Sequence, residues 1–201
     1  MNIYLVRHGL TEWNKKGCYA GWSDPPLSPE GEAQAERLCR RFFGLAPFTL
    51  YSSDLVRAVS TAEIIGQAHQ VAPVCLPAFR ELYFGEWEGK SYGELLKTHP
   101  AELKRWYQDP FYYAPPGGET AAHLDLRVWA GLQAIIKEGR VGETIVLVSH
   151  GGPIRSIICR SRGLGPEQYW QIAVQCAAVH LLMLSGNGPE VPRNLSGARS
   201  G

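Results

Sequence analysis

The chain has 201 residues, of which 45% are hydrophobic and 19% charged, with a formal net charge of +1. That profile describes a folded chain with a substantial core and excludes a disordered or fibrous one. It also excludes whole-chain attraction to nucleic acid or an anionic membrane surface, and no apolar run approaches the ~20 residues that a membrane span needs.

The first element is Ile3-Tyr4-Leu5-Val6, β-branched and aromatic, too short for a helix, and it predicts a buried strand that stops at Arg7-His8-Gly9. Leu27-Ser28-Pro29-Glu30 starts a helix: serine as N-cap, proline at the first helical position, glutamate in the first turn. Ala35, Leu38, Cys39, Phe42 and Phe43 recur at helical spacing until Gly44. Phe48-Thr49-Leu50-Tyr51 predicts a second strand, and Ser52-Ser53-Asp54 a cap for the helix carrying Ala58, Ala62 and Ile65. Val74-Cys75-Leu76 is a short third strand.

Residues 81–119 differ in character. They carry nine aromatics, from Tyr83 to Tyr113, between breakers at Gly89, Pro100 and Pro110, and predict short helices in an excursion over one end of the sheet. A long amphipathic helix follows over 120–138, through Leu124, Val128, Leu132 and Ile135. It feeds the strand Ile145-Val146-Leu147-Val148, which runs into Ser149-His150-Gly151-Gly152; Pro153 begins another helix, and Val179 to Leu184 is a last strand.

Strands alternating with helices predict an α/β fold, a three-layer α/β/α sandwich on a mainly parallel sheet with a helical, aromatic lid excursion. Residues 1–185 read as a single domain and 186–201 as a disordered tail. Cys18, Cys39, Cys75, Cys159 and Cys176 are scattered, odd in number and without a Cys-x-x-Cys pair. Reduced, mostly buried thiols in a cytoplasmic protein are expected, and no export leader precedes the first strand.

The two strand-His-Gly stretches carry the functional expectation. In open α/β sheets the C-terminal strand ends face a crevice where ligands bind, so two such ends can bring remote imidazoles to one site. Phosphoryl transfer without a metal needs a nucleophile, fixed positive donors and an acid for the leaving oxygen. His8 supplies a neutral imidazole, Arg7 a planar fork for phosphate oxygens, and His150 with the Gly151 N–H further donors. Arg57 falls in the first turn of a helix, where the dipole favours an anion, although on that segment alone a solvated surface arginine is the preferred reading. Glu81 is the expected acid, beside Tyr83-Phe84, where partial desolvation favours the proton-bearing form; a surface carboxylate paired with Arg80 is the plainer alternative, and Glu86 and Glu88 are rivals.

At these residues the chain resembles the histidine phosphatase, or phosphoglycerate-mutase-like, superfamily. VRHGLTEWN, GWSDPPLSPEGEAQA, SSDLVRAVSTAE, ELYFGEWEG, PPGGE and VSHGG stand in that family's order, spanning about residues 3 to 155. The resemblance implies that His8 is phosphorylated in turnover, that Arg7, Arg57 and His150 hold the phosphate, and that Glu81 is the acid/base. It adds Asn14 to the phosphate pocket. Two arginines and a histidine can offset a phosphate dianion, so no metal and no cofactor are expected.

Within the family, phosphoglycerate mutases place adjacent arginines before the proline-rich stretch. This chain has Asp109-Pro110-Phe111-Tyr112-Tyr113 there, and Ala20 where mutases commonly place a polar residue. The block from Leu82 to Gly89 followed by PPGGE is similar to α-ribazole-phosphatase-like and broad phosphomonoesterase branches. The expected activity is therefore metal-independent phosphomonoester hydrolysis, with α-ribazole 5′-phosphate or a similar small ester as substrate; a cofactor-dependent phosphoglycerate mutase is the alternative. The expected partner is a small phosphorylated metabolite, not nucleic acid or membrane, and a homodimer is compatible with this reading. A metal hydrolase lacks ligand spacing such as His-x-x-x-His, and a catalytically dead binding protein would lack one of the site residues.

Overall fold

The computed structural model describes residues 1–45, 48–140, 142–185 and 188–190. In chain order the elements are β1 (Asn2–Arg7), α1 (Glu12–Lys15), α2 (Pro29–Phe42), β2 (Phe48–Ser52), α3 (Val56–Gln67), β3 (Val74–Cys75), α4 (Tyr92–Thr98), α5 (Pro100–Gln108), α6 (Ala121–Glu138), β4 (Thr144–Ser149), α7 (Gly151–Ser161), β5 (Val179–Ser185) and β6 (Gly188–Glu190). They form a three-layer α/β/α sandwich around one sheet of strand order β3-β2-β4-β1-β5-β6. Strands β1 to β4 pair in parallel, while β5 and β6 are antiparallel.

The layers follow from strand alternation. Ile3, Leu5, Ile145 and Leu147 face the side covered by α6 and α7, against Leu124, Val128, Leu132, Ile154 and Ile157. Val6, Val146, Val148 and Leu50 face the other side, against Leu38 and Phe42 of α2 and Ala58, Ala62 and Ile65 of α3. With both faces covered, the central strands read as continuous apolar runs rather than alternating ones. Burying each such side chain contributes about 1.5–3 kcal/mol.

Helix α2 is capped as its sequence predicts, with Ser28 Oγ accepting from Gly31 N and proline in the first turn. Gly31 is required where it stands, because a Cβ there would collide with the Leu10 carbonyl of the loop after β1. Helix α3 departs from expectation: Leu55 is its N-cap, without a side-chain hydrogen bond of its own; Ser53 Oγ accepts from Leu55 N, Asp24 Oδ1 from Val56 N, and Asp54 pairs with Arg80. Helix α7 begins two residues before Pro153. The aromatic excursion contains α4 and α5 as expected, plus a 3₁₀ turn over Gly85–Trp87. Gly188–Glu190, placed in the tail by composition, instead pair with β5, and the remainder of that tail lies outside the described residues. Among the described residues no helix is long and apolar enough to cross a membrane.

Candidate active site

Strands β1 and β4 run side by side with Arg7 opposite Ser149, so both chains leave the sheet at the same edge. His8 N donates to Ser149 O at 3.0 Å, carrying the ladder one residue past the strand. The next residues, His8 and His150, therefore meet, with ring centres 5.0 Å apart and both side chains buried. His8 Nδ1 lies 2.6 Å from the Gly9 carbonyl. A carbonyl only accepts, so Nδ1 carries the hydrogen and Nε2 keeps its lone pair. His150 Nε2 bonds the Ser53 hydroxyl at 2.8 Å, while its Nδ1 is buried without a protein partner.

The two arginines are fixed by main chain. Arg7 Nη1 donates to Val174 O at 2.6 Å. Arg57, only 1% exposed, donates from Nη1 to Ser23 O and from Nη2 to the Ala20 and Gly21 carbonyls, so it is not a solvated surface arginine. The Nε atoms of both arginines are buried and unpartnered, as is His150 Nδ1. A cluster rich in unsatisfied donors is suited to an anion. Burial, then Arg57 and Arg7, hold the His8 imidazole well below its ordinary value, and burial with Arg57, His8 and Arg7 does the same to His150. Burial likewise pushes Arg57 down, opposed by Glu81, Asp24 and Glu88.

Glu81 faces this cluster from the loop after β3. Its oxygens accept from Gly152 N at 3.0 and 3.2 Å, and Oε1 also accepts from Leu82 N at 2.9 Å. A Cβ at position 152 would collide with Oε1, so only glycine admits this contact. Arg80 pairs with Asp54 at 2.6 Å and not with Glu81. Glu88 holds the 22–23 backbone and Glu86 is exposed, so neither replaces Glu81. Gly151 opens α7 directly after His150. Asn14 Oδ1 accepts from Thr11 N and Oγ1 and lies 3.7 Å from Cys176 Sγ, so its hydrogen bonds orient the amide without reaching the histidines.

The family model described as histidine phosphatase superfamily (branch 1) matches residues 3–194. The chain belongs to that superfamily. Phosphoserine phosphatase 1 of Hydrogenobacter thermophilus is 30% identical over 90% of this chain and 86% of its own. A 2,3-bisphosphoglycerate-dependent phosphoglycerate mutase 2 of Gloeobacter violaceus is 30% identical over 86% of this chain and 81% of its own. The crystal structure of the α-ribazole phosphatase from Shigella flexneri superposes with a TM-score of 0.87 at 26% identity, covering 96% of this chain and 95% of that one. This histidine phosphatase is thus similar to proteins of several substrate names.

Beside Glu81, the histidine phosphatase encloses a cavity of about 120 Å³ lined by Tyr19, Phe84, Trp106, Tyr107, Tyr169, Trp170, Gly152 and Arg155, among others. Trp106 is the hub, with ring centres of Tyr19, Phe84, Trp87, Tyr107 and Trp170 all between 4.9 and 6.1 Å away. Sequence reasoning missed five residues here. Ser53, read as part of a helix cap, also bonds His150; Arg127 reaches from α6 to the carbonyls of Ala78, Arg80 and Glu81 and so holds the Glu81 backbone. Arg155 and the Tyr169-Trp170 pair complete the cavity. An arginine two residues after Pro153 was the one visible signal for Arg155, and nothing in the sequence ties Arg127 to Glu81.

Proposed function

We propose that this enzyme hydrolyses small phosphomonoesters without a metal, through a phosphohistidine on Nε2 of His8. The observation that carries the reading is the His8 Nδ1 bond to Gly9 O, which leaves Nε2 with its lone pair beside two guanidinium groups. Nε2 forms a bond to phosphorus as the phosphorus–oxygen bond to the alcohol breaks, and Glu81 in its acid form gives its proton to the departing oxygen. Water then attacks phosphorus, its proton returns to Glu81, the phosphorus–nitrogen bond breaks and inorganic phosphate leaves. Arg7, Arg57, His150 and the Gly151 N–H oppose the charge on the phosphoryl oxygens, with the α7 N-terminus adding its dipole. Asn14, its oxygen held by Thr11, offers its amide N–H as a further donor.

Similarity to an α-ribazole phosphatase supports α-ribazole 5′-phosphate as a substrate, while similarity to phosphoserine phosphatase and a cavity of about 120 Å³ favour smaller esters. The 109–116 stretch, without arginine, gives little support to a bisphosphate-dependent mutase. The five unpaired cysteines suit a cytoplasmic setting. The test is a panel of phosphomonoesters, including α-ribazole 5′-phosphate, phosphoserine and 3-phosphoglycerate, assayed with a chelator present. Turnover to inorganic phosphate through an acid-labile, base-stable phosphoenzyme is expected. An acid-stable adduct, or activity abolished by the chelator, overturns the mechanism; conversion of 3-phosphoglycerate to its isomer would restore the mutase.

A further inference from the structure

Arg155, in the second turn of α7, is the one cation among the described residues that line the cavity beside Glu81. Three contacts fix it. Nε donates to Ile172 O at 2.9 Å, and the guanidinium carbon lies 6.0 Å from the Tyr169 ring centre and 5.6 Å from that of Trp170. Nη1 comes within 3.1 Å of the point where a Cβ on Gly151 would stand, and Glu81 Oε2 lies 3.6 Å from the same point. Arg155 and Glu81 therefore flank the start of α7, where the histidine cluster gives way to the cavity. Ion pairs among the described residues do not include Arg155. Arg7 and Arg57, by contrast, direct their terminal nitrogens to main-chain carbonyls.

We propose that Arg155 selects phosphomonoesters whose leaving alcohol carries a carboxylate, which docks on its outer N–H groups while the surrounding rings hold the carbon skeleton. The inference rests on the hydrolase reading above and names its substrate class. A guanidinium held by two ring faces and a carbonyl is preorganised, so little side-chain freedom is lost when its fork meets a carboxylate. A second phosphate fits less well, because a dianion needs more donors than the single guanidinium lining this cavity supplies. Size points the same way. The cavity, at about 120 Å³, is close to the ~150 Å³ that takes one benzene-sized ring, so it suits a single ring or short chain rather than a two-ring base. Among aromatic walls, an unpaired cation also disfavours a neutral group in the same place, so selection works by exclusion as well as attraction.

The test compares the intact enzyme with Arg155→Met and Arg155→Lys on phenyl phosphate, 4-carboxyphenyl phosphate and 4-carbamoylphenyl phosphate. The carbamoyl ester keeps shape and planarity but lacks the charge, and comparing each ester between enzymes cancels differences in leaving-group acidity. The preference for carboxyl over carbamoyl in kcat/KM should fall about 10- to 100-fold in Arg155→Met, mainly through KM, and by less in Arg155→Lys. Equal losses on all three esters would assign Arg155 to the phosphate or to the fold and overturn the proposal. Unaltered preference in both variants overturns it too. If Arg155→Met does not fold, as thermal unfolding reports, the intermediate preference of Arg155→Lys decides. A wild-type enzyme that turns over none of the three and forms no phosphoenzyme defeats the hydrolase reading itself, a result distinct from lost selectivity.

Discussion

The histidine cluster and the aromatic cavity meet at Glu81 and Gly152, yet they are held by different forces. In the cluster, each charged or titratable group is tied to main chain or to a buried hydroxyl: Arg7 to Val174 O, Arg57 to three carbonyls of 20–23, His8 to Gly9 O and His150 to Ser53. In the cavity the contacts are ring edges around Trp106, and several rings remain open to solvent, with Tyr107 43% and Trp170 37% exposed. Hydrogen bonds to backbone are directional and set positions to tenths of an ångström, as a charge cluster requires. Edge-to-face ring contacts contribute about 0.5–1.5 kcal/mol each and tolerate small displacements. Substitutions at the cluster should therefore act on kcat and nearly abolish turnover, whereas those in the cavity should act on KM and be graded.

The sharpest way to break that contrast is His8→Ala. It should lower phosphatase activity about ten-thousand-fold or more and eliminate the phosphoenzyme, while circular dichroism still reports a folded chain. Retained turnover would remove His8 as the nucleophile and with it the distinction between the two ends. Glu81→Gln sits at the boundary and should be intermediate. Loss of about 100- to 1,000-fold is expected on alkyl phosphates, whose leaving oxygen needs a proton, and much less on 4-nitrophenyl phosphate. Equal losses on both esters would deny Glu81 its role as acid.

How much of this was legible in the sequence follows the same division. Ile3–Val6 and Ile145–Val148 read as strands because chains buried on both faces show unbroken apolar runs, and their ends place His8 beside His150 however far apart they lie in sequence. Burial of Arg57 was not legible, since helical spacing alone also fits a solvated arginine; only the folding of the 20–23 carbonyls over it removes water. The cavity was hidden for a stronger reason. Tyr19, residues 81–110, Arg155 and the 3₁₀ turn over Pro166–Gln171 come from separate segments, and neither their spacing nor their period marks a shared surface. The strand at Val179 was legible, but not its antiparallel direction, which depends on the path of the chain after α7. The thiols also depart from expectation: Cys159 is buried but Cys75 is exposed, because β3 is a two-residue strand at the sheet's edge.

A pH series sharpens the comparison through stability instead of activity. His8 and His150 are both held below the ordinary histidine value of 6.5 by burial first and the arginines second. Below about pH 6.5 the unfolded chain binds protons that the folded chain refuses, so stability is full above that region and falls as the pH drops through it. Each histidine contributes on the order of 1 kcal/mol per pH unit, and His180 on β5, lowered by burial and Arg162, acts in the same direction. Urea midpoints at pH 7.5 and 5.5 measure the slope, which the double variant His8→Asn/His150→Asn should flatten. An equally steep slope in that variant would place the acid sensitivity outside the cluster.

The smallest effect is expected at the cavity's rim. Tyr107 and Tyr19 share a hydrogen bond at 2.8 Å between their hydroxyls, and burial together with that bond pushes the Tyr19 phenol up, keeping it neutral. Tyr107→Phe removes one neutral hydrogen bond at a partly exposed position, so stability should fall by no more than about 1 kcal/mol. Its ring remains, and with it the edge contact to Trp106 at 4.9 Å. On 4-carboxyphenyl phosphate the change should be about two- to fivefold and expressed in KM, because the bond lies away from the phosphorus and acts equally on bound substrate and transition state. A fall confined to kcat would mean that the rings help to set the position of Glu81, and the cavity would then belong to the catalytic geometry rather than to recognition alone.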